Sequence, residues 1–108
     1  MSEAKLVILY PEPKDRATFD KAYQTEHVPL MTEKSSGRVQ RAVITKILGS
    51  AGDPSPYYLM AEVYFPSIEA INEFLPTADF QAIAANTGSI STGGPPTVLL
   101  AEDNVFGL

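Results

Sequence analysis

Apolar residues follow two spacings along the chain, and each change of spacing marks an element. Lys5–Tyr10 (KLVILY) is rich in Val, Ile and Leu and stops at Pro11-Glu-Pro13, which predicts a first strand, apolar on both faces as a central strand is. Phe19, Tyr23 and His27 then recur every fourth residue, with Ala22 and Leu30 widening the stripe, so a helix follows with an imidazole on its apolar face. Asp15 is its expected N-cap and Gly37 its expected stop, just past Ser35. Pro29 lacks an N–H and its ring crowds the carbonyl of Thr25, so the helix must end or kink close to His27.

Val39–Leu48 predicts a second strand, placed at a sheet edge because its polar residues fall on both faces. Gly49–Pro56 reads as a wide hairpin loop, and Tyr57–Phe65 (YYLMAEVYF) as the clearest strand. That strand presents Leu59, Ala61, Val63 and Phe65 to a core and Tyr58, Met60, Glu62 and Tyr64 to the opposite face. Ser67 caps a helix whose buried side carries Ile68, Ile71, Phe74 and Leu75. Pro76-Thr77 interrupts it, and a further piece from Ala78 to about Asn86 presents Phe80, Ile83 and Ala84 before Gly88 ends it. After a Ser/Thr/Gly/Pro loop, Ser89–Pro96, the segment Thr97–Glu102 is the last strand, followed by a partly apolar tail.

Strand, helix, strand, strand, helix, strand implies one domain, residues 1–108, of α+β class: a ferredoxin-like βαββαβ sandwich, an antiparallel sheet with both helices on one face. The other face, with Tyr58, Met60 and Tyr64, would be too apolar to leave wet, and a homodimer packing two such sheets together would cover it. Glu62 on that face would then need a partner such as Arg41 or Lys46 to be buried cheaply.

Composition narrows the function. Thirteen Asp and Glu stand against eight scattered Lys and Arg, without the positive patch on which nucleic-acid or anionic-membrane binding relies. Cysteine is absent, so thiolate nucleophiles and Cys-based metal sites are excluded, and a lone histidine does not make a structural zinc site. The first apolar run is too short for a signal sequence or a membrane span, which points to the cytoplasm. Ser89–Pro96 has neither the lysine nor the spacing of a phosphate-binding loop.

The strand ending in Tyr10-Pro11, then Phe19-Asp20, Tyr23 and above all Glu26-His27-Val28-Pro29-Leu30, on a βαββαβ chain of this length, resembles the EthD family of the dimeric α+β barrel superfamily. The similarity covers nearly the whole chain. It implies a dimeric barrel with a pocket in each subunit between helices and sheet. Superfamily relatives include monooxygenases acting on polycyclic aromatics, haem-degrading enzymes, lactone isomerases, dehydratases and decarboxylases, so the resemblance does not supply one reaction.

Within that frame His27 is the expected proton-transfer residue, since imidazole titrates near neutrality, and Tyr23 the residue that orients substrate or donates to a developing oxyanion. Tyr10, Phe19, Leu30, Phe65 and Phe80 are the expected substrate-binding residues. The reading is a small enzyme that acts on a hydrophobic, aromatic or oxygenated molecule, with no metal and no cofactor, as a monooxygenase-like oxidoreductase. The alternatives are a lyase or isomerase on the same fold, a noncatalytic binding or accessory protein, or a structural oligomer. In these last cases His27 would donate to a carbonyl freed by Pro29 and Tyr23 would be core.

Overall fold

In the computed structural model, which describes residues 3–108, the central strand is Ala4–Pro11 (β1). It pairs antiparallel with Tyr57–Phe65 (β3) on one side and Thr97–Glu102 (β4) on the other, and Arg41–Lys46 (β2) adds to the far side of β3. The order β2-β3-β1-β4 is that of the ferredoxin-like sandwich, with β2 at an edge as its mixed polarity required. Leu6 faces Val63 and Leu100 across the ladders, and Ile8 faces Ala61 and Val98, so one face of the central strands is continuously apolar.

Helical segments cover that face. Asp15 caps Arg16–Ala22 (α1) by accepting from the Thr18 N–H, Ser67 caps Ile68–Phe74 (α3), and Thr77 caps Ala78–Ile90 (α4). Close to His27 the first helical segment changes character without ending at Pro29. Between α1 and Val28–Lys34 (α2) the chain makes one π-helical turn, Tyr23–His27, in which the Val28 N–H reaches the Tyr23 carbonyl. The backbone stays right-handed at Tyr23 and His27 while the widened turn makes room for a ring that cannot donate. Gly37, at φ 80°, follows the end of α2 in the left-handed region. Gly88 does not stop α4, which runs on to Ile90 because that side chain is buried in the aromatic cluster that also holds Tyr10 and Phe19 and keeps the last turn in place.

The core lies in two parts. Ala4, Leu6, Val63, Phe65, Ile71, Phe74 and Ile83 form one, and Tyr10, Phe19, Tyr23, Tyr58, Leu59 and Ile90 the other. Tyr58 departs from strict alternation. The β1–β3 register pairs Tyr10 with Leu59 but Pro11 with Tyr57, so Tyr58 is the extra residue of a β-bulge. It is only 3% exposed, packs edge-on against Phe19 and donates to Asp20 at 2.9 Å. The helix side therefore holds Tyr58, and the opposite face keeps Met60 and Tyr64 without it. On that face Glu62 pairs with Lys5, not Arg41 or Lys46, and Lys5 also reaches Asp103 at 2.7 Å. These carboxylates push the Lys5 pKa up, and Arg41 lies 3.8 Å over the Tyr64 ring.

The loop before β4 is fastened down. Gly93 lies so near the Glu12 carbonyl that a β-carbon there would overlap the oxygen, and the Lys14 N–H donates to Thr92 Oγ1 at 3.1 Å. Among the described residues no helix is long and apolar enough to cross a membrane.

Candidate active site

Between the sheet and the helices lies a cavity of about 250 Å³. Its floor is Leu6, Ile8, Ala61, Val63 and Phe65 from the central strands, its roof Phe74, Phe80, Ile83 and Ala84 from α3 and α4, and Pro96 and Val98 border it near β4. Polar side chains enter at four points, His27, Tyr10, Thr87 and Ser35, and among the described residues no Lys, Arg, Asp or Glu lines it. An unpaired ion would be poorly solvated there.

His27 is 4% exposed. The π-helical turn brings its ring against Tyr23, 5.0 Å between centroids, and within reach of α4, where Nδ1 lies 3.0 Å from Asn86 Oδ1. Burial lowers its pKa and the Asn86 contact opposes this in part, so the ring is neutral at pH 7 and its free lone pair can accept a proton. Tyr10 is also buried, its phenol pushed up to about 12 by desolvation against a smaller pull from the Thr87 hydroxyl. It remains a neutral hydrogen-bond donor.

The depressed histidine pKa sets a pH dependence. The unfolded chain protonates His27 near its ordinary pKa of about 6.5, whereas the folded chain does so only at lower pH. Stability from the neutral buried ring is therefore complete above about pH 6.5, declines as pH falls below it, and levels off once the folded pKa is passed. Urea midpoints taken between about pH 7.5 and 5 should fall for wild type and fall less for His27→Gln. Parallel curves would contradict this.

Of the side chains singled out in the sequence, Tyr10, His27, Phe65 and Phe80 line the cavity. Tyr23 does not. It stacks on Phe19 at 5.9 Å with its hydroxyl buried and, among the described residues, without a hydrogen-bond partner, and its pKa is raised by burial and by Tyr10. Phe19 lies beyond Tyr10 in the aromatic cluster, and Leu30 is half-buried away from the cavity. The structure adds Asn86, Thr87 and Ser35, which the sequence reading misses. Thr87 continues the α4 stripe of Phe80, Ile83 and Ala84, a signal present in the sequence, whereas Asn86 is recognisable only from its neighbour 59 positions away. Among the described residues no three His, Asp or Glu side chains gather as metal ligands.

Comparison with known proteins places this site in a family. An uncharacterized 11.0 kDa protein of the thcB-thcC intergenic region of Rhodococcus erythropolis is 30% identical over 102 residues, 94% of this chain and 97% of that one. The crystal structure of an ethyl tert-butyl ether d (EthD) family protein from Bacillus halodurans is also 30% identical, with a TM-score of 0.83 over 94% of this chain and 99% of its own. Hydroxynitrile lyase from Passiflora edulis shares the fold at 13% identity and a TM-score of 0.71, each chain 97% covered. More distant structures of this fold include a cofactor-independent oxygenase from Streptomyces nogalater, at 7% identity and TM-score 0.60, and a dimeric ferredoxin-like protein from Bacteroides fragilis, at 10% and 0.62. Residues 11–89, which include the cavity's His27, match the EthD domain, and with the two relatives at 30% identity this establishes that the chain belongs to the EthD family.

Proposed function

We propose that this protein is a cytoplasmic enzyme whose cavity takes a neutral, largely hydrophobic small molecule, and that His27 removes a proton from its hydroxyl or activated carbon. One observation carries the reading: a neutral, buried imidazole at the wall of a cavity otherwise almost free of polar groups. Tyr10, held protonated, is placed to donate to the oxygen on which charge develops. The Tyr23 ring packs against His27 at a tilt of 33° and supports the ring's orientation.

The anion left after proton loss is electron-rich and shielded from water, which suits direct reaction with O₂, as in a monooxygenase-like oxidoreductase. The Streptomyces oxygenase supports that such chemistry fits the fold. Lyase chemistry, as the Passiflora enzyme's name describes, is the second reading. There too His27 would take the hydroxyl proton and then stand as the cation beside the departing anion, so the same residue serves both readings. A noncatalytic ligand carrier would show saturable binding and no turnover.

The uncovered sheet face is the proposed homodimer interface. Val7, Leu9, Met60 and Tyr64 project there, together with Leu99, which is 48% exposed. Dimeric relatives of the same fold support this. Native mass spectrometry of freshly purified protein should give a dimer that retains a neutral organic compound, and Leu99→Glu should give a folded monomer. A wild-type monomer would overturn the interface, and wild type that binds no neutral hydrophobic compound would overturn the ligand class.

A further inference from the structure

We infer that Asn86 is a positioning residue: its carboxamide oxygen accepts from His27 Nδ1–H, holds the ring in that tautomer, and leaves Nε2 as the nitrogen that takes the substrate's proton. This rests on the reading of His27 as the base and adds which atom acts and what directs it.

The geometry is specific. Asn86 Oδ1 lies 3.0 Å from Nδ1 across the gap between α4 and the π-helical turn. A histidine side chain in water favours the opposite tautomer, with the proton on Nε2, and which nitrogen is protonated in a protein follows from the hydrogen bond made by the other. An acceptor at Nδ1 therefore selects the form in which Nε2 carries the lone pair. When Nε2 takes a proton the ring becomes cationic, and the Nδ1–H···O contact becomes charge-assisted, roughly twice as strong as a neutral one. The contact thus favours the proton-transferred state over the resting state, which is the requirement for a contribution to rate.

The acceptor is an amide and not a carboxylate, and the surroundings are consistent with that choice. Among the described residues Tyr23 packs on the ring and Tyr10 shares its cavity, both kept neutral by burial, no Lys, Arg, Asp or Glu lines that cavity, and α4 brings to it the uncharged Asn86 contact and Thr87. Glu26, adjacent in sequence, is exposed. An aspartate at position 86 would hold the ring as imidazolium to higher pH, whereas the amide orients it and leaves it unprotonated at neutral pH.

His27 is the only histidine, so its two ring nitrogens give the only imidazole signals in a long-range ¹⁵N–¹H NMR spectrum. Wild type at neutral pH should show Nδ1 protonated and Nε2 unprotonated. Asn86→Leu should shift the ring toward the Nε2–H tautomer, and Asn86→Asp should restore Nδ1–H and raise the histidine pKa by about 1 to 3. A wild-type ring protonated at Nε2, or a tautomer unchanged in Asn86→Leu, would overturn the inference. If the leucine variant does not fold, wild type and the aspartate variant still decide it. Because no substrate is present, the tautomer stands or falls separately from any turnover by His27.

Discussion

His27→Gln is expected to lower kcat/KM by about 10²- to 10⁴-fold, the usual contribution of one positioned general base. Glutamine keeps a polar group of similar reach beside Asn86 but cannot take a proton. Most of the cavity wall comes from the sheet and from α3 and α4, with Met31 and Ser35 added from the helical segment that carries His27, so most of it remains and ligand binding should weaken far less than turnover. That pattern, kcat lost with binding kept, separates a base from a residue that merely stabilises the helix around Pro29. Circular dichroism and the native mass of the variant check that fold and assembly persist. A variant that turns over normally, or one that fails to fold, would place His27 in the structural class instead.

Phe19→Ala is expected to destabilise the fold by about 3–5 kcal/mol, the range for truncating a buried phenylalanine. Phe19 is 2% exposed and makes edge or stacked contacts with Tyr10 at 5.2 Å, Tyr58 at 5.6 Å and Tyr23 at 5.9 Å, so its loss opens a void among three other rings. Phe80→Ala makes the informative contrast. Phe80 is only partly buried and already borders the cavity, so the same truncation should cost less stability and mainly enlarge the ligand space. Denaturant unfolding of both variants decides the matter. A small loss for Phe19→Ala accompanied by weakened ligand binding would return Phe19 to the substrate-binding set.

His27 and Phe19 share one helical stripe, and that stripe marks how far the site is legible in the sequence. Period and caps are local, so the strands KLVILY and YYLMAEVYF, the Asp15 and Ser67 caps and the βαββαβ order can be read directly. The stripe Phe19, Tyr23, His27 is equally plain, but periodicity gives direction and not depth: His27 reaches the cavity, while Tyr23 and Phe19 pack beside and beyond it. Pro29 announces a disturbance in the helix without saying that a π-helical turn will absorb it.

What differs from expectation comes from pairing and tertiary packing, which no single segment contains. Alternation puts Tyr58 on the outer face, and a bulge opposite Tyr10 and Pro11 turns it inward. Gly88 reads as a helix stop, but the burial of Ile90 carries α4 two residues further. The partner of Glu62 proves to be Lys5, its neighbour on the adjoining strand, and the contact of His27 with Asn86 joins residues that only the tertiary fold brings together.

The central claim is that neutral His27 meets a neutral, mostly apolar ligand inside this cavity. A titration of wild-type protein with 2-naphthol, an apolar bicycle with one weakly acidic hydroxyl, followed by ¹⁵N NMR, tests it directly and does not require the natural substrate. Saturable shifts at His27 Nε2 and at the amides of Ala61, Ala84 and Val98 are the predicted result. Saturable binding that leaves His27 unmoved, or shifts confined to the outer face of the sheet, would contradict it.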